Sequence, residues 1–161
     1  MATLYLLSGK IGSGKSTLAR ALAARPQTLL ISEDHWTSTL FAGDLETIED
    51  YGKYSARLRA AMTPHIVAIL GKGLSVVLDF PANTVKQRAW MKELADLAEV
   101  DHELHVLDTP DAICRQRLRQ RNASGEHPFQ VSDAEYEQFT RYYAPPTHDE
   151  GFNVIIHGTG S

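Results

Sequence analysis

Eight residues near the N-terminus, Gly9-Lys10-Ile11-Gly12-Ser13-Gly14-Lys15-Ser16, constrain the fold of this chain more than any other stretch. They satisfy G-x-x-x-x-G-K-[ST], and Thr17 follows. Glycines at 9, 12 and 14 carry no Cβ, so the backbone can turn tightly and approach an anion. Successive amides of such a turn form a concave nest for phosphate oxygens. A helix opening near Lys15 adds its positive end and its unpaired donors. Lys15 is then a mobile point charge for β- and γ-phosphates, and the Ser16 hydroxyl is placed to ligate Mg²⁺. The pattern is the phosphate-binding P-loop, which requires a strand before it and a helix after it. Both flanks are present: Thr3-Leu4-Tyr5-Leu6-Leu7 is a short apolar run, and Ser16 to Arg25 is alanine-rich with Leu18 and Leu22 four apart.

A chain of 161 residues is one ordinary domain, 1–161, long enough for a real core. No apolar stretch is long enough to span a bilayer, and the N-terminus enters a strand without a signal-type segment, so a cytoplasmic location is expected. The one cysteine, Cys114, cannot form an internal disulfide and reads as a small core residue. The net charge of −4 weakens a reading as a protein that grips long nucleic acid.

Strands and helices alternate along the chain, which predicts an α/β fold with a parallel sheet and helices on both faces. Strands are expected at 3–7, 28–32, 75–79, 102–108 and 153–157. From Ile48 to Leu70 the residues Tyr51, Tyr54, Leu58, Met62, Ile66 and Ile69 recur three or four apart, marking one face of a helix. Either Thr63 caps a second helix beginning at Pro64, or one helix kinks there. Thr84 with Gln87 and Ser132 with Glu135 have capping-box form. Thr109-Pro110-Asp111 reads as cap, first-turn proline and first-turn acid of a helix to about Arg121, and 122–128 as a polar loop. His105 on the fourth strand could be a ligand but reads as structural.

In an open α/β sheet, ligands bind beyond the C-terminal ends of the strands. The P-loop, Asp34 and Asp79 all fall there. Asp79 follows Val76-Val77-Leu78, an apolar strand delivering a carboxylate towards Mg²⁺, directly or through water. Its bland alternative is a cap of the turn before Pro81. Asp34 is the candidate general base for an attacking hydroxyl, with a helix N-cap as the compatible structural role. By helical phase, Arg117 and Arg121 share a side with Ile113, Cys114 and Leu118, whereas Arg115 and Arg119 lie opposite, Arg115 forming a weak pair with Asp111. Inward-facing guanidinium groups need an anion: a phosphate chain, or else a buried Asp or Glu. No Asn-Lys-x-Asp and no Leu-Ser-Gly-Gly-Gln segment occurs, which argues against a GTPase and an ABC ATPase; the extra helical domain of an AAA+ motor has no room.

On these residues the chain resembles small P-loop kinases of the group containing phage-type polynucleotide 5′-kinases, zeta-toxin-like kinases and chloramphenicol phosphotransferase. It is most similar to the bacterial AAA family ATPase kinases of that group. The resemblance runs through Gly9–Thr17, Asp34, Asp79-Phe80-Pro81-Ala82-Asn83 with Arg88 and Trp90, and Asp108 leading into Arg117 and Arg121. It extends to His127-Pro128-Phe129-Gln130-Val131-Ser132 and Pro145-Pro146. It implies a three-layer P-loop NTPase fold with a five-stranded parallel sheet of order 2-3-1-4-5 and a helical lid near 117–128. It also implies ATP and Mg²⁺ as cofactors, Asp34 as base, and Arg117 with Arg121 on the phosphates. The polynucleotide kinases carry an arginine three residues after the base; here Thr37 stands there. The expectation is therefore a kinase acting on a hydroxyl of a small molecule, unless His35 or Arg57 substitutes for the missing arginine and keeps a nucleic-acid acceptor. The alternatives are a polynucleotide 5′-hydroxyl kinase and, from another class, an ATP-binding switch that transfers nothing. The acceptor pocket is expected under Trp36, Phe41 and the Tyr51–Leu58 helix.

Overall fold

The computed structural model describes residues 1–125 and 130–158. Five strands, β1 (Thr3–Ser8), β2 (Thr28–Ser32), β3 (Ser75–Pro81), β4 (Asp101–Asp108) and β5 (Val154–Gly158), form one parallel sheet of order β2-β3-β1-β4-β5. The helices are α1 (Lys15–Ala23), α2 (Glu33–Leu40), α3 (Ile48–Gly71), α4 (Val85–Ala98), α5 (Asp111–Ser124) and α6 (Asp133–Tyr142), with a 3₁₀ turn at His148–Glu150. This is the three-layer P-loop NTPase kinase fold that the resemblance implies.

Period-two alternation sorts the sheet's side chains between two cores. Leu4, Leu6, Val76, Leu78 and Leu104 face α3 and α4, meeting Leu58, Met62, Ile66 and Leu70 of the one and Met91 and Leu94 of the other. Tyr5, Leu7 and Val77 face Ala19 and Leu22 of α1. A third cluster joins α5 to α6 through Cys114, Leu118, Val131 and Tyr136, so the cysteine is a buried core residue.

The register of β1 against β3 slips once. Leu6 pairs with Leu78, but Leu7 pairs with Pro81. On the β2 side Asp79 still pairs with Ser32. Asp79 and Phe80 thus have no counterpart on β1. Such an irregularity bends a strand and re-aims its side chains. Here it delivers Asp79 and the following Asn83 to the P-loop.

The helix boundaries depart from the sequence reading at four places. α3 runs unbroken through Pro64, with the Thr63 hydroxyl donating to the Arg59 carbonyl at 2.7 Å. Ser32, not Asp34, caps α2, its hydroxyl accepting the His35 amide. Pro110, not Thr109, takes the cap position of α5, and the Thr109 hydroxyl donates to the Ser13 carbonyl at 2.9 Å. α5 continues past Arg121 to Ser124 and stops at Gly125, whose φ of +67° suits glycine. The expected loop at 122–128 therefore begins as helix, and 126–128, the end of the expected lid, lie outside the described residues. Asn122 faces the returning chain, its amide bonding both Val131 O (2.5 Å) and Val131 N (3.2 Å).

Arg88 is fully buried and holds the C-terminal part of the chain to the sheet. It donates to Glu150 through Nε (2.7 Å) and Nη2 (3.2 Å), to Ala82 O (3.0 Å) and to Ala144 O (2.6 Å). Arg88 holds the Glu150 carboxyl below the usual carboxylate range. A depressed carboxylate pKa contributes stability that is present above the unfolded value, about 4.3, and lost as pH falls through the folded one. We expect Arg88→Ala to cost about 3–5 kcal/mol in urea unfolding, because Glu150 is left with its charge unpaired. Glu150→Gln should weaken the protein near neutrality and flatten the acid side of its stability–pH curve. An unchanged acid side would remove this pair from the balance.

Candidate active site

The P-loop joins β1 to α1 as expected. Gly12 and Gly14 have φ of +81° and +101°, a conformation costly to any residue with a Cβ. At Gly12 a Cβ would also meet the Cys114 carbonyl at 2.5 Å, so α5 packs directly on the turn. Lys15 is half-buried, its ammonium donating to Gly9 O (2.5 Å) and Lys10 O (3.0 Å). Burial pulls its pKa down to about 8, against the opposing pull of Asp79 and Asp34.

A cavity of about 540 Å³ opens over this loop. Ile11, Gly12, Gly14, Lys15, Ser16 and Thr17 line it, together with Asp34, Asp79, Arg117 and Arg121. Gly9, Lys10 and Ser13 of the motif lie outside its lining: Ser13 is buried, and the Lys10 ammonium binds Asp111 at 2.7 Å. The Ser16 hydroxyl donates to Asp79 Oδ2 at 3.0 Å. Burial raises the Asp79 carboxyl and the Ser16 bond opposes the rise. A hydroxyl and a carboxylate side by side are hard oxygen donors of the kind Mg²⁺ takes alongside phosphate and water. Among the described residues no three His, Cys, Asp or Glu side chains group as a metal site, so any ion here would draw most of its ligands from elsewhere.

The arginines divide only in part as the helical phase predicts: Arg117 and Arg121 line the cavity and Arg115 and Arg119 do not, but Arg117 is exposed whereas Arg115 is half-buried. Arg121 is half-buried, its buried Nε has no hydrogen-bond partner among the described residues, and burial lowers its pKa while Asp34 supports its charge. The alternative of structural pairing with a buried carboxylate finds no hydrogen bond among the described residues. Arg117 is exposed at the cavity wall, with Nη1 3.4 Å from Gly12 O. Arg119 reaches Asp133 at 3.4 Å. The expected Asp111–Arg115 pair does not form as an ion pair. Asp111 bonds Lys10 and the Tyr136 hydroxyl (3.0 Å), and Arg115 lies over the Tyr136 ring at 4.6 Å, reaching Glu137 at 3.5 Å.

Around Asp34 the structure adds residues that the sequence reading missed. Glu33 is 1% exposed and accepts from the Tyr51 hydroxyl and from Ser55 Oγ at 2.7 Å. Arg59 Nη1 donates to the same Ser55 oxygen at 2.9 Å. The Tyr51 hydroxyl also lies 3.3 Å from Asp34 Oδ1. Burial raises the Glu33 carboxyl, and burial with the two carboxylates pushes Tyr51 well above its usual value. Tyr51, Ser55 and Arg59 line the cavity beyond Asp34, with Asn83, Thr84 and Gln87 opposite. Their spacing, i, i+4 and i+8 along α3, was the signal available, a polar stripe beside the apolar one. Of the elements expected around an acceptor, the Tyr51–Leu58 segment lines this cavity through Tyr51, Gly52 and Ser55, whereas Trp36 and Phe41 do not. Phe41 stacks on Tyr54 at 4.4 Å and Trp36 is exposed, so neither lines the cavity. His35 is exposed and Arg57 lies over the Tyr54 ring, so neither stands in for an arginine at 37, where Thr37 is buried and bonds Glu33 O. His105 stays structural, buried and bonded to His157 (2.8 Å) and Glu103 (3.0 Å) on the sheet.

Fold and loop together define a protein with the P-loop NTPase fold. The chain belongs to the AAA domain family AAA_33, whose model matches residues 4–146. It is similar in structure to a candidate kinase from Chloroflexus aurantiacus (TM-score 0.78, 21% identity, covering 98% of this chain and 85% of that one). It is also similar to Chaetomium thermophilum Kti12 crystallised with ADP-AlF3 (TM-score 0.75, 17% identity, 98% and 89%). A third likeness is to the Mycobacterium tuberculosis APS kinase CysC crystallised with AMPPNP and APS (TM-score 0.64, 18% identity, 99% and 90%). At these identities the likeness is one of fold. No curated protein matches the sequence. Among the described residues no helix is long and apolar enough to cross a membrane.

Because burial holds the Lys15 amine near 8, an amine-selective reagent should modify Lys15 at half-maximal extent about two pH units below ordinary lysines, whose reference value is about 10.4. Peptide mapping by mass spectrometry across pH 7–11 reads this, where the pH window is roughly that spanned by the two values. Lys15 following the same curve as the surface lysines would place its amine in solvent.

Proposed function

We propose that this protein is an ATP- and Mg²⁺-dependent kinase that transfers the γ-phosphate to a hydroxyl of a small-molecule acceptor. The observation that carries the reading is convergence. A P-loop lysine, a serine–aspartate pair, a carboxylate and an arginine without a hydrogen-bond partner for its buried Nε among the described residues line one cavity. That cavity continues past Asp34 into a second region bounded by Tyr51, Ser55, Arg59, Thr84 and Gln87. A hydrolytic switch needs the first region only; the second gives an acceptor a place beside the carboxylate.

In this reading the amides of the loop and Lys15 bind the β- and γ-phosphates. Ser16 and Asp79 hold Mg²⁺, which neutralises charge on the phosphate oxygens when bound. Asp34 orients the acceptor hydroxyl and takes its proton as the oxygen–phosphorus bond forms. Arg117 and Arg121 neutralise charge that grows on the γ-phosphoryl oxygens. The small-molecule acceptor is supported by the net charge of −4 and by the buried Thr37 in the place of a phosphate-holding arginine. The APS kinase among the structural relatives supports the same class.

A transfer screen with γ-labelled ATP over metabolites, antibiotics and 5′-hydroxyl oligonucleotides tests the proposal. A productive acceptor should raise ADP release above the water background. Release that no acceptor stimulates favours the switch. Lys15→Ala should nearly abolish turnover. Asp34→Asn should bind ATP normally and lose transfer by about 10²–10⁴-fold, the usual worth of a positioned base. Transfer at the wild-type rate by Asp34→Asn would take the base role away from this residue.

A further inference from the structure

The side chain of Asn83 meets the first glycine of the P-loop edge to edge. Gly9 N–H donates to Asn83 Oδ1 at 3.0 Å, and Asn83 Nδ2 donates back to Gly9 O at 2.8 Å. This reciprocal pairing fixes the orientation of the amide and holds the two peptide groups that flank the Gly9 Cα. Gly9 O is also an acceptor of the Lys15 ammonium, so one carbonyl joins Asn83 to the lysine of the motif.

Asn83 is itself held from three sides. Its amide N–H donates to Gln87 Oε1 at 3.0 Å, within the capping box that starts α4. Its carbonyl accepts the Ala144 N–H at 2.7 Å. Arg88, fully buried, fixes the two neighbouring carbonyls, Ala82 and Ala144. A short amide whose backbone is fixed in this way loses little freedom on making two further bonds, so the pair with Gly9 gains most of its intrinsic strength. Thr84 and Gln87, the next cavity-lining residues along the chain, bound the region beyond Asp34.

We propose that Asn83 is the positioning residue of the phosphate-binding loop. It holds the Gly9 peptide so that the turn's amides and Lys15 are presented in one geometry. Because its own backbone belongs to the acceptor-side wall, it transmits a shift of that wall to the phosphate site. The proposal rests on the reading of the loop as a nucleotide site, and its two readouts separate the failure of one from that of the other.

The probe is AMPPNP with Mg²⁺, titrated by calorimetry, alongside amide hydrogen exchange at Gly9 and a thermal melt. In Asn83→Ala, Gly9 exchange should quicken about tenfold and AMPPNP should bind about tenfold more weakly, the scale of one or two lost hydrogen bonds. Exchange at Val76–Leu78 should hold, and the melting temperature should fall by no more than the few degrees that one or two lost hydrogen bonds cause, so the lost affinity is not loss of fold. Asn83→Asp keeps the shape and the acceptor for Gly9 N–H but sets a carboxylate oxygen against Gly9 O. It should retain Gly9 protection while losing at least as much AMPPNP affinity as Asn83→Ala. Wild-type Gly9 exchange in Asn83→Ala, or wild-type affinity in either variant, overturns the proposal. If Asn83→Ala does not fold, the isosteric Asn83→Asp decides alone by its affinity. If the wild-type protein binds no AMPPNP, the nucleotide reading fails and Gly9 exchange still tests the bracket.

Discussion

A turn that aims its amides at a ligand must aim its carbonyls the other way, and buried carbonyls need donors. The P-loop of this protein meets that demand by drawing on most of its neighbours. Ser13 O takes the Thr109 hydroxyl from the start of α5, and Gly9 O takes the Asn83 amide from the end of β3. Gly9 and Lys10 carbonyls also receive the Lys15 ammonium. These donors come from just after β3, from α1 and from the start of α5, three different parts of the chain. The orientation of the loop is therefore a property of the assembled sheet tips rather than of eight residues alone.

The same constraint explains the slip between β1 and β3. A regular parallel ladder would have continued Leu6–Leu78 into the next pair; instead Asp79 and Phe80 stand outside the β1 ladder and Pro81 resumes it. That local departure brings the Asp79 carboxylate to the Ser16 hydroxyl and the Asn83 amide to Gly9. Arg88 and Glu150 then lock the far side of the same loop in a buried, fully bonded ion pair. A buried pair of this kind is a modest source of stability, and its removal is costly mainly because the remaining charge has no partner. Its placement next to Ala82 and Ala144 gives it a second consequence, the fixing of the Asn83 backbone.

On the other side of the cavity the logic is electrostatic. Two adjacent acids, Glu33 and Asp34, open α2, where a helix N-terminus favours negative charge. Glu33 turns inward and is satisfied by the hydroxyls of Tyr51 and Ser55, with Arg59 behind them. Asp34 turns towards the cavity, where Lys15 and Arg121 both feel its charge. One carboxylate is thus consumed in holding α2 to α3, and the other lines the cavity. The two differ in burial, and that difference assigns them different work.

The sequence by itself determined the P-loop, the order of strands and helices, the position of Asp34 and Asp79 after their strands and the phase that sets Arg117 and Arg121 on the cavity side of α5. These follow from local rules: glycine geometry, a period of two or 3.6, and the placement of polar residues after apolar strands. It also determined the capping boxes at Thr84 and Ser132, because their partners lie three residues away. What only the tertiary structure decided was every role that depends on a distant partner. Thr109-Pro110-Asp111 does start α5, but the partners of the Thr109 hydroxyl and the Asp111 carboxylate, Ser13 and Lys10, lie about a hundred residues away in the chain. Glu33, Tyr51, Ser55 and Arg59 became one network, and Asn83 a bracket on Gly9, only when the sheet closed in the order β2-β3-β1-β4-β5. Hydrogen-bond energy depends on distance and angle in space, and sequence separation carries no trace of either.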